Sequence, residues 1–430
     1  MRCESMKVLI LSVGGSADPI VKAIKSDQPD HVYFLCSRGP KGSEQTIAGP
    51  GDPCGDTRKI KCKTCGEEQY IGNRKGKAIA VQAGIDQSRY DIVVVDNPDD
   101  LAECYAAVRE LLTGIEVRYG PRCETVINYT GGTKTMSVAM VLAGLMTECC
   151  DLAVNIGPRS DLIKVRGGDT PVAVDKWRIF GDLQVELARQ SISDFDYAHA
   201  HLILTEILKH PLDKDFKNTI LKAAHLCDAF DQWDKFRHDN AYELFSACNA
   251  PLPKHQRAIK SILGLYKSAN GYELVGDLLN NAARKAHRRY YDDAVARLYR
   301  AMELFAQIRL KRQYNIESGS IPLESLPEAL RETYHTRVRE NGKLILGLND
   351  VYELLNKLGD PVGTHFVKNR EKVLNVLLKR NNSIFAHGTT PLTEEDYDKV
   401  KDTLGEFLKS WAQMIGIDIN MPQLPQTGII

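Results

Sequence analysis

Near the C-terminal end, the stretch KRNNSIFAHG (residues 379–388) sets Arg380, Asn381 and His387 in a polar cluster that interrupts an apolar run. On a helix turning about 100° per residue, the seven steps from Arg380 to His387 come within about 20° of two full circles. The spacing therefore predicts an arginine and a histidine on one helix face, with Ile384 and Phe385 turned toward a core. Gly388 can supply a left-handed stop, which places His387 in the last helical turn. Carbonyls exposed there favour the imidazolium form. A cation beside a proton-exchanging imidazole suits phosphodiester chemistry. An R-x6-H spacing also arises by chance on solvated helices, so the rest of the chain has to decide.

At 430 residues, with 43% hydrophobic and 26% charged residues, the chain is long enough for two or three globular domains. Lys plus Arg equals Asp plus Glu at 56 each, so no global charge points to a nucleic-acid partner, and any such surface must be local. Residues 6–13 read as a strand and not as a secretory leader. No apolar run reaches the ~20 residues that span a bilayer, and no membrane partner is expected. Eleven cysteines, several inside apolar elements, look like reduced thiols of a cytoplasmic protein.

The elements that must position the chemistry alternate in the first half. Residues 7–13 (KVLILSV), 31–36 (HVYFLC), 90–95 (YDIVVV), 124–129 (ETVINY) and 151–156 (DLAVNI) read as strands. Helical patterns at 18–25, 98–112 and 134–147 separate them. The expected fold is α/β: a Rossmann-like, parallel-rich sheet whose ligand crevice lies beyond the C-terminal strand ends. Gly14, Gly15 and Ser16, then Ser37, then Asn97, then residues 130–135 all fall at such ends. In the last of these, Gly131 and Gly132 let backbone N–H groups approach a ligand at a helix start, where negative charge is favoured. Thr130, Thr133 and Thr135 add hydroxyls, and Lys134 adds a cation. The loop is not a Walker A motif, and Gly14-Gly15-Ser16 is not a dinucleotide fingerprint. A phosphate-bearing ligand is expected, without triphosphate hydrolysis.

Residues 38–76 break the alternation. This insertion is rich in Gly, Pro and charge and carries Cys54 and a Cys62-Lys63-Thr64-Cys65-Gly66 turn. A structural zinc site usually takes four ligands; three cysteines are present, and a fourth could come from His31 or a second subunit. The favoured expectation is an insertion carrying free thiols, with no metal site assigned.

From Trp177 to about residue 270 the chain reads as amphipathic helices with short loops, Trp233, Phe236 and Tyr242 filling a core. The last third, 271–430, is helical again. Val295, Leu298, Met302 and Phe305 form one apolar stripe, with Arg300 and Glu303 able to pair beside it. Residues 284–312 hold nine Lys or Arg against three Asp or Glu. That run is either a solvated face or a phosphate-binding one. Residues 313–345 look loop-rich, and the tail after Ile415 is expected to fray.

A strand-end Gly-Gly-Thr-Lys loop in an N-terminal α/β half, followed by a helical half ending in R-N-x5-H-G, resembles the CARF–HEPN ribonucleases associated with type III CRISPR systems. The resemblance covers residues 1–175 as a CARF-like domain (insertion 38–76) and 271–430 as an α-helical HEPN-like domain, with 176–270 as a helical connector. It implies a homodimer that binds a cyclic oligoadenylate, with cyclic tetra-adenylate as the expected ring, although no residue fixes ring size. It further implies a metal-independent endoribonuclease acting on single-stranded RNA in antiviral defence. By motif, Gly14, Gly15, Ser16 and residues 131–135 match the ligand loops, and Arg380, Asn381 and His387 match the Rx4–6H motif. Arg300 and Glu303 fit polar positions on an earlier HEPN helix. The insertion departs from the family pattern. Two other readings compete: a non-catalytic cyclic-nucleotide sensor whose helical half dimerises or docks a partner, and a nucleotide-sensing transcription regulator. The second lacks a recognition helix with a basic N-terminal face in 177–270.

Overall fold

The structure, a computed structural model, describes residues 6–430 except 40–41, 52–57, 158–168, 249–251, 336–337, 339–342, 382 and 385–387; of 379–381 it describes the backbone alone. The chain divides into two compact units, Met1–Asp182 and Leu183–Ile430.

In the first unit the apolar runs become β1 Lys7–Ser12, β2 His31–Ser37, β3 Tyr90–Val95, β4 Glu124–Asn128 and β5 Cys150–Ile156, joined by β6 Thr170–Val174. The sheet order is β3-β2-β1-β4-β5-β6. The first five strands are parallel and β6 runs antiparallel to β5. β2 is buried along its whole length because both faces are covered. Val8 and Ile10 point to a core shared with α2 Leu101–Tyr119 and α3 Lys134–Leu145. Leu9 and Leu11 point the other way, to α1 Asp18–Asp27.

Two boundaries depart from expectation. α2 begins at Leu101 instead of 98, because the Asp100 carboxylate accepts the Glu103 N–H at 3.1 Å as an N-cap. β6 has no counterpart in the sequence reading. None of its residues is buried and Pro171 sits within it, so it lacks the apolar run that announces a covered strand.

The insertion is fastened at its base. Ser37 and Ser43 exchange N–H···Oγ bonds of 3.2 and 3.3 Å, and the Ala17 N–H donates to the Gly72 carbonyl at 3.0 Å. Its outer part is a two-stranded hairpin, Lys59–Lys61 against Glu68–Tyr70, with the cysteine turn at the tip. There the backbone N–H groups of Cys65 and Thr64, with the Cys65 side chain, draw the Cys62 thiol down to about 7. Elsewhere burial pushes thiols up, to about 12 at Cys36 and Cys227 and about 11 at Cys150. His31 is not a fourth ligand for this turn. It opens β2 at the end of the strand away from the insertion, and its Nε2 lies 3.0 Å from the Asp91 carboxylate.

Helix α4 Lys176–Ser193 leads into the second unit, which continues with α5 Tyr197–Ile207, α6 Lys214–Asp234, α7 His238–Cys248, α8 Pro253–Ile262, α9 Glu273–His287 and α10 Tyr291–Tyr314. Then come α11 Leu348–Lys357, α12 Pro361–Lys368, α13 Arg370–Asn381 and α14 Glu394–Met414. Two cores form. One holds Val185, Leu204, Phe230, Trp233 and Phe245; the other holds Leu298, Phe305, Tyr352, Phe366 and Trp411. Trp233 fills its core but also donates its Nε1–H to Asp277 at 3.1 Å, so it is a polar anchor as well.

The tail is not frayed. Ile419 belongs to one core while Leu424 and Ile429 belong to the other. The Asn280 Nδ2–H donates to the Met421 carbonyl at 2.8 Å, and Tyr197 donates its hydroxyl to the Pro425 carbonyl at 2.9 Å. A tail of this composition reads as polar and proline-broken, and only the helices beneath it reveal that it is clamped.

Candidate functional site

The strand order reverses between β1 and β4, and the loops after these two strands meet at that switch point. They meet through main chain. A Cβ added at Gly14 would lie 2.9 Å from the Gly132 nitrogen, and one at Gly131 would lie 2.1 Å from the Ser12 carbonyl oxygen. Gly132 has φ +78°, a conformation side chains rarely adopt. Ser12 Oγ donates to the Gly131 carbonyl at 2.7 Å. α3 starts immediately after, so its unpaired N–H groups and dipole face the same place.

Several expected ligand groups are already committed to the fold. Thr133 is the N-cap of α3: its Oγ1 accepts the Met136 N–H at 3.2 Å and donates to the Pro98 carbonyl at 2.7 Å. Thr130 Oγ1 donates to Asn128 at 2.6 Å and accepts the Asn155 N–H at 2.7 Å. Ser37 is taken up by Ser43 as described. Asn97 is exposed, but its carboxamide oxygen accepts the Asp99 N–H at 3.2 Å in an Asx turn. These hydroxyls and this amide shape the loops and leave contact with a ligand to other groups. Gly15, Ser16, Thr135 and Lys134 remain, and Lys134 is an exposed cation with no ion-pair partner among the described residues.

A polar cluster that the sequence reading missed supports the loops from below. Asn128 Nδ2 donates to Asn155 at 2.9 Å, and Asn155 Nδ2 donates to Asp169 at 3.0 Å. Burial works against ionisation of Asp169, but Lys22 and Asn155 bond to it and hold its carboxyl below the usual range. The signal was present as asparagines closing apolar strands; Asp169 and Lys22 carried none.

In the second unit the helix expected to run from Arg380 to His387 is interrupted at residues 383 and 384. α13 ends at Asn381, Ser383 lies in a bend, and Ile384 is 61% exposed instead of turned to a core. Asn381, Asn382 and Ser383 carry side chains that compete for backbone groups, which favours a helix end. Arg380 and Asn381 close the helix; their side chains, and Phe385 and His387 altogether, lie outside the described residues. The flanks are described. The Gly388 N–H returns to the Ser383 carbonyl at 3.3 Å, and the Leu392 N–H donates to Asp292 at the start of α10 at 3.2 Å. Asp292 thus ties the loop beyond the motif to α10, a role with no sequence signal.

Arg300 and Glu303 form the expected pair at 3.2 Å, half exposed. The basic run is not a free cationic face. Seven of its nine cations pair with carboxylates: Arg284 and Lys285 with Asp234, Arg288 with Asp196, Arg297 with Asp293, Arg300 with Glu303, Arg309 with Asp360, and Lys311 with Glu317.

Residues 266–410 match the family model described as the Csm6 HEPN domain. Over the whole length, the fold matches the solved structure of Enterococcus italicus Csm6 bound to cyclic hexa-2'-fluoro-hexa-dAMP. The TM-score is 0.59 at 12% identity, over 94% of each chain. Residues 266–410 therefore resemble a Csm6-type HEPN domain, and the chain shares its overall fold with that solved structure. No curated protein matches its sequence. The glycine loops lie in the first unit, and Arg380 and Asn381 lie within the residues matched to the HEPN domain. No helix among the described residues is long and apolar enough to cross a membrane.

Proposed function

We propose that this protein is an endoribonuclease switched on by a cyclic oligoadenylate, with residues 1–175 as the sensor, 176–270 as the connector and 271–430 as the nuclease. The observation that carries the reading is the main-chain cradle of Gly14, Gly131 and Gly132 at the start of α3, with Lys134 beside it and without an ion-pair partner among the described residues, in a chain whose residues 266–410 match a Csm6 HEPN domain. A helix start with open N–H groups suits a phosphodiester of the ligand.

RNA brings its own nucleophile, the 2′-hydroxyl. His387 deprotonates it or protonates the leaving 5′-oxygen, Arg380 stabilises the added charge on the phosphorane, and Asn381 orients phosphate or imidazole. Products are a 2′,3′-cyclic phosphate and a 5′-hydroxyl. The chemistry needs no metal ion. The deciding experiment incubates the protein with labelled single-stranded RNA, EDTA and a panel of cyclic oligoadenylates of different ring size. Cleavage that depends on one ring and persists in chelator supports the reading. Loss in EDTA restored by Mg2+ replaces it with a metal-dependent nuclease.

Carboxylate pairing across most of the 284–312 cations favours a second reading, a sensor whose helical half dimerises or docks a partner. In the same assay that protein binds a cyclic oligoadenylate and cleaves nothing.

Replacing Gly131 by Ala is expected to weaken activator binding more than replacing Lys134 by Ala. The alanine forces main chain apart, whereas the lysine change removes one exposed charge. Lys134→Ala raises the activator concentration needed for cleavage but leaves saturated activity intact. Isothermal titration of both variants checks this, and equal or unchanged affinities would move the site elsewhere.

The homodimer has support in two apolar stripes that none of the described residues covers. Val138 and Leu142 on α3 and Met146 at its C-cap are 48%, 41% and 65% exposed at four-residue spacing. Ile179, Leu183 and Leu187 repeat the spacing on α4, at 44%, 50% and 50%. Leu142→Asp is expected to shift the protein toward monomer in light scattering, without lowering its melting temperature, because the side chain packs little in its own chain.

A further inference from the structure

We infer that the corner between α9 and α10 is a binding site for single-stranded RNA, with Arg289 taking a phosphate and Tyr290 stacking a base. This rests on the nuclease reading above and adds a place where the strand is held outside the motif loop. Three helix–helix corners of the second unit share one backbone. Phe195 between α4 and α5, Phe236 between α6 and α7, and Arg289 between α9 and α10 take φ of 58°, 59° and 63°. Each donates its N–H to the carbonyl three residues back, and the next residue donates to the one five back, the Schellman pattern of a helix end. Alanines stand seven places before each corner (Ala188, Ala229, Ala282) and five after (Ala200, Ala241, Ala294), and all six are fully buried.

A side chain in this left-handed conformation is strained, and glycine is the residue that adopts it freely. Phe195 and Phe236 offset the strain by packing their rings against the two cores. Arg289 holds the same position, yet it is exposed and has no ion-pair partner among the described residues. The contrast points to a partner outside the chain.

The same corner walls a recess of about 640 Å3 whose other walls come from α4 and α5. That volume is in the ordinary range of small-ligand sites and is enough for a nucleotide. Its two carboxylates are engaged: Arg288 donates to Asp196 at 2.6 Å, and Asp194 lies 3.6 Å from His287. Arg289 is left as the cation that a phosphate can reach. Tyr290 follows it, 51% exposed, with the Arg288 guanidinium 5.4 Å from its ring centroid. An open aromatic ring beside a guanidinium is how single strands are held, base on ring and phosphate on cation. A duplex keeps its bases stacked inside and offers Tyr290 no such face. The location also suits a substrate. Asp292, two residues beyond Tyr290, accepts the Leu392 N–H at 3.2 Å and so ties this corner to the segment after the Arg380–His387 motif.

The test uses the full-length protein and a fluorescein-labelled single-stranded 2′-O-methyl RNA, which offers phosphates and bases but no nucleophile. Arg289→Gly is expected to raise the melting temperature, because glycine relieves the corner, while weakening binding of this analogue. The slope of log affinity against log salt should fall by about 0.7, one phosphate contact. Tyr290→Ala should weaken binding by roughly 5- to 150-fold, the worth of one stacked base, and Tyr290→Phe should bind as wild type. Arg312→Ala is the control: it removes a cation of the same run that donates to the Asn270 carbonyl, and it should bind as wild type. With saturating activator, Arg289→Gly and Tyr290→Ala should raise KM for RNA cleavage and leave kcat in place. Excess cyclic oligoadenylate should not displace the analogue.

Wild-type affinity and salt slope in Arg289→Gly overturn the site, as does undiminished binding by Tyr290→Ala. A lower melting temperature in Arg289→Gly overturns it too, since the arginine then serves the fold. Displacement by the activator, or no binding of the analogue by wild type, has the same result. Cleavage by wild type with unaltered KM in both variants removes this site and leaves the nuclease reading standing. Binding that depends on Arg289 and Tyr290 in a protein that cleaves nothing keeps this site and removes the nuclease reading.

Discussion

His387→Ala is expected to lower RNA cleavage by about 10²- to 10⁴-fold, the usual contribution of a positioned proton-transfer group. Activator affinity and dimerisation should stay as in wild type. The described bonds nearby, Gly388 to Ser383 and Leu392 to Asp292, do not involve the side chain at 387, so they should survive the substitution. Single-turnover cleavage under saturating activator checks the size of the loss. Retention of more than a few per cent of the rate removes His387 from the mechanism. A loss of activator affinity would instead mean that the substitution disturbs the fold.

The second large effect concerns stability. Arg284 is 1% exposed, and its guanidinium donates to Asp234 at 2.7 Å and to Gln423 at 2.6 Å. Lys285 reaches the same carboxylate at 2.8 Å. Burial works against ionisation of Asp234, yet Arg284 and Lys285 hold its carboxyl below the usual range. Close by, Asp277 accepts from Trp233 and bonds His238 at 2.9 Å. This ionic cluster joins α6, α7 and α9 to the tail. Replacing Arg284 by Met leaves the buried Asp234 carboxylate with only Lys285 and Asn281 and is expected to cost about 3–5 kcal/mol. A urea titration should show a lower midpoint at unchanged slope. Adding Asp234→Asn to the variant should recover part of the loss, since the uncompensated charge is then gone. If the single variant melts like wild type, the cluster is not a stability element.

Much of the first unit was legible because its physics is local. An apolar run such as residues 7–13 has one economical explanation, a strand covered on both faces, and glycines directly after it mark a close approach. The roles of Thr130 and Thr133 were not legible, because a hydroxyl that caps a helix and one that meets a ligand look the same in sequence. The basic run misled for a different reason. Arg284 and Arg288 find their carboxylates 50 and 92 positions away, so local counting sees excess charge where the fold has neutralised it. Periodicity around Arg380 predicts continuous helix, but the Asn-Asn-Ser sequence competes for backbone groups, and the helix ends at Asn381. Ile384 paid no attention to its period and faces solvent.

The contact of Gly14 with Gly132, and of Gly131 with Ser12, has a consequence for how this protein tolerates change. A recess walled by side chains fails when a side chain is trimmed. One walled by backbone fails when anything is added, and at Gly14 and Gly131 every possible substitution adds at least one carbon. A saturation scan of residues 10–20 and 128–138, scored by activator response, should therefore return two dead columns with no conservative rescue. The positions around them, half-buried Ser16 and Thr135 and exposed Lys134, should fade gradually with the size and charge of the replacement. Random drift can thus tune the strength of the response one side chain at a time, but it has no intermediate step by which to reshape the floor.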